Sequence, residues 1–200
     1  MNIGLIGRAR SGKDTVGRIL LDHGGYERVA FADPLKAAAL KLDPLIHTDH
    51  PSGVERLSEI LATPNALTWE DAKDMFPEVR RILQELGAAM RAIDPEFWLR
   101  AGLARAEEVN RQTGRPAVVT DVRYPNEADS LKRAGFHLIY VDRPGIPHLT
   151  HESEGALGPV DADFVIENDG SLDDLKERVR TVYHQIHTDE SRRHYARAHS

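Results

Sequence analysis

The chain has 200 residues, 40% hydrophobic and 29% charged, enough for one domain with a sizeable core and a small insert. Its formal net charge of −6 argues against general affinity for nucleic acid or an anionic membrane, both of which favour a basic protein. It contains no cysteine, which excludes disulfides and thiolate metal sites. No apolar run is long enough to span a bilayer, and residues 1–7 lack the basic segment and long apolar stretch of a signal peptide. A cytoplasmic protein without nucleic-acid or membrane partners is expected.

The first expected strand, residues 2–6, runs straight into Gly7-Arg8-Ala9-Arg10-Ser11-Gly12-Lys13-Asp14-Thr15 and then a helical pattern over 16–21. This is G-x-x-x-x-G-K between a strand and a helix, the context in which the motif cradles phosphates. The glycines let successive backbone N–H groups turn inward, the helix N-terminus adds positive charge, and Lys13 reaches the β- and γ-phosphates as a mobile point charge. ATP is the expected nucleotide, since no guanine-reading motif is evident. Its phosphates would meet Gly7, Arg8, Arg10, Ser11, Gly12, Lys13, Asp14 and Thr15. Serine or threonine usually follows the lysine and binds Mg²⁺. Here Asp14 does so, an oxygen ligand able to serve the ion directly or through water, while Thr15 is placed for the α-phosphate.

A second strand is expected at 26–31, and Asp33-Pro34 reads as an N-cap followed by proline at the first helical position. The stretch 43–76, with Pro44, Pro51 and Pro64, breaks the alternation. It is expected to be an insert on the substrate side with short helices near 55–61 and 69–76. Over 77–93 the residues Val79, Ile82, Leu83, Leu86, Met90 and Ile93 recur at helical spacing. Arg80, Gln84, Gly87 and Arg91 form a stripe along the border of that apolar face, suited either to a phosphate or base or to a solvated, salt-bridged surface. Asp94-Pro95 repeats the helix-opening device before 96–111.

The third strand, 117–120, ends in Asp121-Val122-Arg123. Ligands of open α/β sheets sit beyond the carboxyl ends of the strands, so these two side chains are expected at the phosphates. Asp121 would hold a magnesium-bound water or take a proton from the attacking oxygen, and Arg123 would clamp the acceptor phosphate with its planar fork. The alternative is a helix cap and a surface ion pair. Strands at 136–141 and 164–166 follow, and Ser171 with Asp174 resembles a capping box opening the last helix. Residues 184–200, with four of the ten histidines, read as a flexible, solvated end. Strands alternating with helices predict an α/β fold whose parallel sheet is covered on both faces.

Taken together, the residues resemble the deoxynucleoside monophosphate kinases of bacteriophages. The resemblance runs from Gly4 to about Leu175 and is thinnest over 43–76. It rests on Ser11-Gly12-Lys13-Asp14-Thr15, Ala32-Asp33-Pro34-Leu35-Lys36, the run from Val79 to Gly87 and Thr120-Asp121-Val122-Arg123. Arg143-Pro144-Gly145, Thr150-His151-Glu152-Ser153-Glu154 and Asn168-Asp169-Gly170-Ser171-Leu172 follow in the same order. Asp after the lysine is normal within that family. The resemblance implies a P-loop NTPase fold with a five-stranded parallel sheet sandwiched by helices, a helical monophosphate-binding region and a lid. It implies a kinase domain over 1–183, with the insert at about 43–76 and the lid at about 143–160, and a tail at 184–200. The implied reaction moves the γ-phosphoryl group of ATP, with Mg²⁺, to a deoxynucleoside monophosphate.

Asp33, Lys36, Arg80, Gln84, Arg91, Trp98, Arg123 and Asn126 would then face the acceptor, although a tryptophan on an amphipathic helix is more often core. The lid would carry Arg143, able to stabilise the transferring group beside Arg8 or Arg10, and also His151, Glu152 and Glu154, whose spacing does not match a zinc helix. Asn168 and Gly170 would lie near the base of ATP, and Asp14 and Asp121 would serve the metal. A phosphomevalonate or dephospho-coenzyme A kinase, or a nucleotide-dependent switch, shares the loop. A homodimer is compatible with each reading. In a host-borne phage setting the compartment would be the host cytoplasm.

Overall fold

The computed structural model describes residues 1–51, 53–62, 67–146 and 156–198, without the side chains of 193, 194 and 196–198. In chain order the elements are β1 (Ile3–Ile6), α1 (Lys13–Gly24), β2 (Glu27–Val29), α2 (Ala32–Leu42), β3 (Leu45–His47), β4 (Val54–Arg56), α3 (Leu57–Ala62) and α4 (Trp69–Met75). Then come α5 (Pro77–Ile93), α6 (Phe97–Thr113), β5 (Ala117–Val122), α7 (Pro125–Arg133), β6 (His137–Asp142), β7 (Phe164–Glu167) and α8 (Leu172–Ala198). They fall into two units, Met1–Ala30 with Leu103–Ser200, and Phe31–Gly102.

The first unit is built on a five-stranded sheet in the order β2-β5-β1-β6-β7, every pair parallel. The strand composition explains this. β1 is buried at all four positions and β5 and β6 at nearly all of theirs, as a parallel sheet covered by helices on both faces requires. On one side α1 and α8 bury Val16, Leu20, Val179 and Ile186 against Ile3, Leu5, Val118 and Ile139. α1 comes very close: a Cβ at Gly17 would sit 3.1 Å from the Thr120 methyl carbon. Gly4 gives the same room to Leu131 of α7 and to Leu138. The expected strands are all present and differ only at their ends.

α8 differs from expectation more. Residues 184–198, read as a loose end, continue the helix. Leu175, Val179, Val182 and Ile186 keep up a three-and-four spacing well past position 184, and Ile186 is fully buried. Beyond it, Glu190 meets the Nε2 of buried His137 at 2.9 Å. The Ser171–Asp174 capping box is present. Asp174 N–H donates to Ser171 Oγ at 3.2 Å and Ser171 N–H to Asp174 Oδ2 at 2.8 Å.

The second unit gathers Ala39, Ile46, Leu57, Ile60, Val79 and Leu83 into its own core. α3 and α4 fall near the expected helices. The antiparallel β3–β4 hairpin was not expected, because three-residue strands beside Pro44 and Pro51 are too short to show alternation. Asp33 does not cap α2. The N-cap is Phe31, and Asp33 lies in the first turn, where its charge complements the helix dipole.

Candidate active site

The site begins where β1 ends. Gly7 has φ 147°, Arg10 63° and Gly12 102°, so the chain turns repeatedly through left-handed conformations of the kind that gather N–H groups around an anion. The glycines are also needed for space. A Cβ on Gly7 would lie 2.5 Å from the Val141 carbonyl oxygen, and one on Gly12 would lie 2.4 Å from Asn168 Nδ2. Lys13, at the first position of α1, curls back so that Nζ donates to Gly7 O at 2.5 Å and Arg8 O at 2.7 Å. The ammonium therefore sits over the loop. Ser11 is buried, and its hydroxyl oxygen finds no hydrogen-bond partner among the described residues. A glycine turn, a helix N-terminus, an ammonium over the turn and a buried hydroxyl fit a polyphosphate.

Asn168, expected near the base of ATP, is tied to the phosphate loop. Its Nδ2 donates to Ser11 O at 2.8 Å, and its own N–H donates to Asp142 O at 2.6 Å. It ties the end of β7 to the loop and packs on Gly12. Arg8 extends the tie, with Nη2 3.6 Å from Asp142 Oδ1 at the end of β6. Gly170 lies beside the Asp174 carboxylate of the α8 cap. Arg143, just past β6, is exposed. His151, Glu152 and Glu154, with most of the expected lid, lie outside the described residues.

Ile6 of β1 is in register with Val122 of β5, so Gly7 and Arg123 leave neighbouring strands side by side. Asp121 is the last-but-one residue of β5 and is partly buried, whereas Arg123 is exposed. Asn126 is exposed in the first turn of α7. A residue not foreseen from sequence, Glu127, stands behind them. It is 8% exposed, and its Oε2 accepts from the N–H groups of Arg123 at 2.8 Å and Tyr124 at 3.1 Å. Burial is the main force on its carboxyl and Asp121 adds to it. The two N–H bonds and the Arg123 charge oppose, and the group is pushed up to about 7. The signal was present in sequence as an acid three residues after Tyr124 in a helix starting at Pro125, which is a capping position.

Asp14 is exposed in the first turn of α1. No group of three His, Cys, Asp or Glu among the described residues could cage a metal ion. Asp14 and Asp121 nonetheless offer hard oxygen donors of the kind Mg²⁺ uses when one or two carboxylates and substrate phosphates share it.

In the second unit, Arg80 pairs with Asp74 at 2.7 Å, and Lys36 Nζ lies 5.8 Å from the Trp69 ring centroid. Burial pulls the Glu70 carboxyl upward, but a hydrogen bond from Lys73 and the charges of Lys73, Lys36 and Arg80 outweigh it and leave the group below its ordinary value. The structure thus brings Lys36 and Arg80 into one charge cluster. Gln84 is exposed further along α5. The Arg91 guanidinium folds back to within 3.6 Å of where a Gly87 Cβ would stand. Trp98 is buried at 6% exposure and donates its indole N–H to Gly87 O at 3.2 Å. Its ring is largely shielded from solvent.

A parallel sheet whose central strand feeds a glycine loop, a lysine and a helix N-terminus defines a P-loop nucleotide-binding fold. A family model for deoxynucleotide monophosphate kinase matches residues 65–179, more than half of the chain, and the chain belongs to that family. A putative deoxynucleotide monophosphate kinase of Acanthamoeba polyphaga mimivirus is 29% identical over 186 residues, covering 88% of this chain and 93% of that protein. The deoxynucleotide monophosphate kinase of Enterobacteria phage T4 is 33% identical over 108 residues, covering 52% of this chain and 44% of that protein. Among solved structures, a dephospho-CoA kinase from Campylobacter jejuni aligns with TM-score 0.47 at 14% identity, covering 92% of this chain and 96% of that one.

Proposed function

We propose that this chain transfers the γ-phosphoryl group of ATP to a deoxynucleoside monophosphate. The observation that carries the reading is the register of Ile6 with Val122, which sets the phosphate loop and Arg123 side by side at the carboxyl edge of one sheet. Family membership supplies the acceptor class.

Phosphoryl transfer asks for in-line positioning and neutralised charge rather than covalent chemistry from the protein. The inward N–H groups of residues 7–13 bind the phosphates, and Lys13 exchanges its two carbonyl partners for β- and γ-oxygens. Asp14, and Asp121 through water, would hold Mg²⁺, which when bound would neutralise charge on the phosphates. Thr15 takes the α-phosphate. Arg8, Arg10 and Arg143 stabilise the transferring group. Arg123, with Asn126, orients the acceptor phosphate, and Asp33, Lys36, Arg80, Gln84 and Arg91 complete acceptor binding. Asn168 supports the loop, with Gly170 beside it. The expected compartment is the cytoplasm, its own or that of a host. Among the described residues no helix is long and apolar enough to cross a membrane.

Lys13→Ala tests the reading. Transfer is expected to fall by at least about a hundredfold, with far-UV circular dichroism and melting retained. Near-normal turnover in a folded variant would remove the central assignment.

A further inference from the structure

The corner between β5 and α7 has a bonding problem that one side chain solves. Tyr124 precedes Pro125 and is held extended, with φ −116° and ψ 148°, so the chain cannot begin its helix there. Pro125 carries no N–H, and the amides of Arg123 and Tyr124 lie outside the helical ladder. Both donate to a single oxygen, Glu127 Oε2, at 2.8 and 3.1 Å. The Glu127 N–H in turn donates to Tyr124 O at 3.0 Å, closing the corner reciprocally. An ordinary cap of this kind sits in water. Glu127 is 8% exposed, so water has little room to replace its oxygen. The charged groups that act on it are Asp121 from β5 and Arg123 from the corner itself.

We infer that Glu127 is the positioning residue of Arg123: by clasping the Arg123 and Tyr124 amides it fixes the backbone from which the guanidinium reaches the acceptor phosphate. This rests on the acceptor role of Arg123 given above. Glu127 touches no substrate. It determines where the Arg123 Cα stands, and a displacement of about 1 Å at such a point is enough to cost catalysis heavily.

The test is a cycle of Arg123→Ala, Glu127→Ala and the double variant, with Glu127→Gln as the conservative replacement that keeps an acceptor oxygen. Steady-state kinetics are read for ATP and for each deoxynucleoside monophosphate, and amide exchange is read at Arg123 and Tyr124. Glu127→Ala is expected to lower kcat/KM for the acceptor by about tenfold or more, to leave the KM for ATP within about twofold, and to expose both amides to exchange. Glu127→Gln is expected to keep the amides protected and most of the activity. In the Arg123→Ala background, Glu127→Ala is expected to add nothing.

Multiplying effects, or an equal loss of ATP affinity, would overturn the inference while leaving the Arg123 assignment standing. A silent Arg123→Ala would overturn both, and protected amides in Glu127→Ala would remove the clasp itself. Should Glu127→Ala fail to fold, Glu127→Asp, with its carboxylate drawn back from the two amides, takes its place in every arm.

Discussion

Burial lifts the Glu127 carboxyl from 4.5 to about 7, with Asp121 adding to the rise and the Arg123 and Tyr124 amides and the Arg123 charge opposing it. The native state therefore holds this proton more tightly than the unfolded chain does. The associated stability is fully present below the unfolded value and is lost as pH rises through about 7. The whole effect is on the order of 3 kcal/mol. Glu127→Gln cannot ionise and keeps an acceptor for the two amides. Measured as urea midpoints from pH 5 to 8, its stability relative to the parent is expected to improve as pH rises to about 7 and then to level off. A difference constant across that range would contradict the burial argument. Lys13 poses a different electrostatic problem, since the Gly7 and Arg8 carbonyls hold its ammonium in place over the loop.

α8 shows how one element joins fold and site. Its first turn is capped by Ser171 and Asp174, its middle supplies Val179 and Ile186 to the core, and Glu190 in its later turns reaches His137 of β6. Ile186→Ala removes a fully buried side chain and is expected to cost roughly 2–4 kcal/mol. Ser171→Ala is expected to cost about 1 kcal/mol through loss of the cap. Thermal or denaturant unfolding measures both, and a neutral Ile186→Ala would mean that the helix beyond residue 183 is not part of the core.

The composition of this stretch explains why it read as a tail. Histidines and arginines are frequent in residues 184–200 and hide one large aliphatic position, Ile186, four residues after Val182. The parallel strands were legible because burial on both faces writes them as apolar runs. β3 and β4 were not, because each has three residues and lies next to prolines. The loop at Gly7 was legible because strand, glycines and lysine occur in sequence. The bond from Asn168 to Ser11 was hidden because its partner is a backbone atom, which leaves no trace in residue type, whereas Glu127 was marked only by its capping position three residues after Tyr124.

At the scale of the whole molecule, a chain of net charge −6 is proposed to handle two anionic substrates. Long-range attraction cannot do this, so the work falls to local cations. Arg8, Arg10 and Lys13 stand on the loop, Arg123 leaves the neighbouring strand, and Lys36, Lys73 and Arg80 cluster around Glu70 in the second unit. Such local fields act within roughly 8–10 Å at ordinary ionic strength, so each cation must be held near its phosphate by packing and backbone bonds. The nucleotide half of this arrangement could be read from a contiguous motif. The residues proposed for the acceptor are scattered along the chain, and only the family resemblance united them in sequence.

The most direct test is a coupled assay of ADP release from ATP and Mg²⁺, run across dAMP, dGMP, dCMP, dTMP and non-nucleotide acceptors. At least one deoxynucleoside monophosphate is expected to drive ADP release in equal amount with formation of its diphosphate. ADP release indifferent to every monophosphate, or transfer confined to a non-nucleotide acceptor, would contradict the kinase reading.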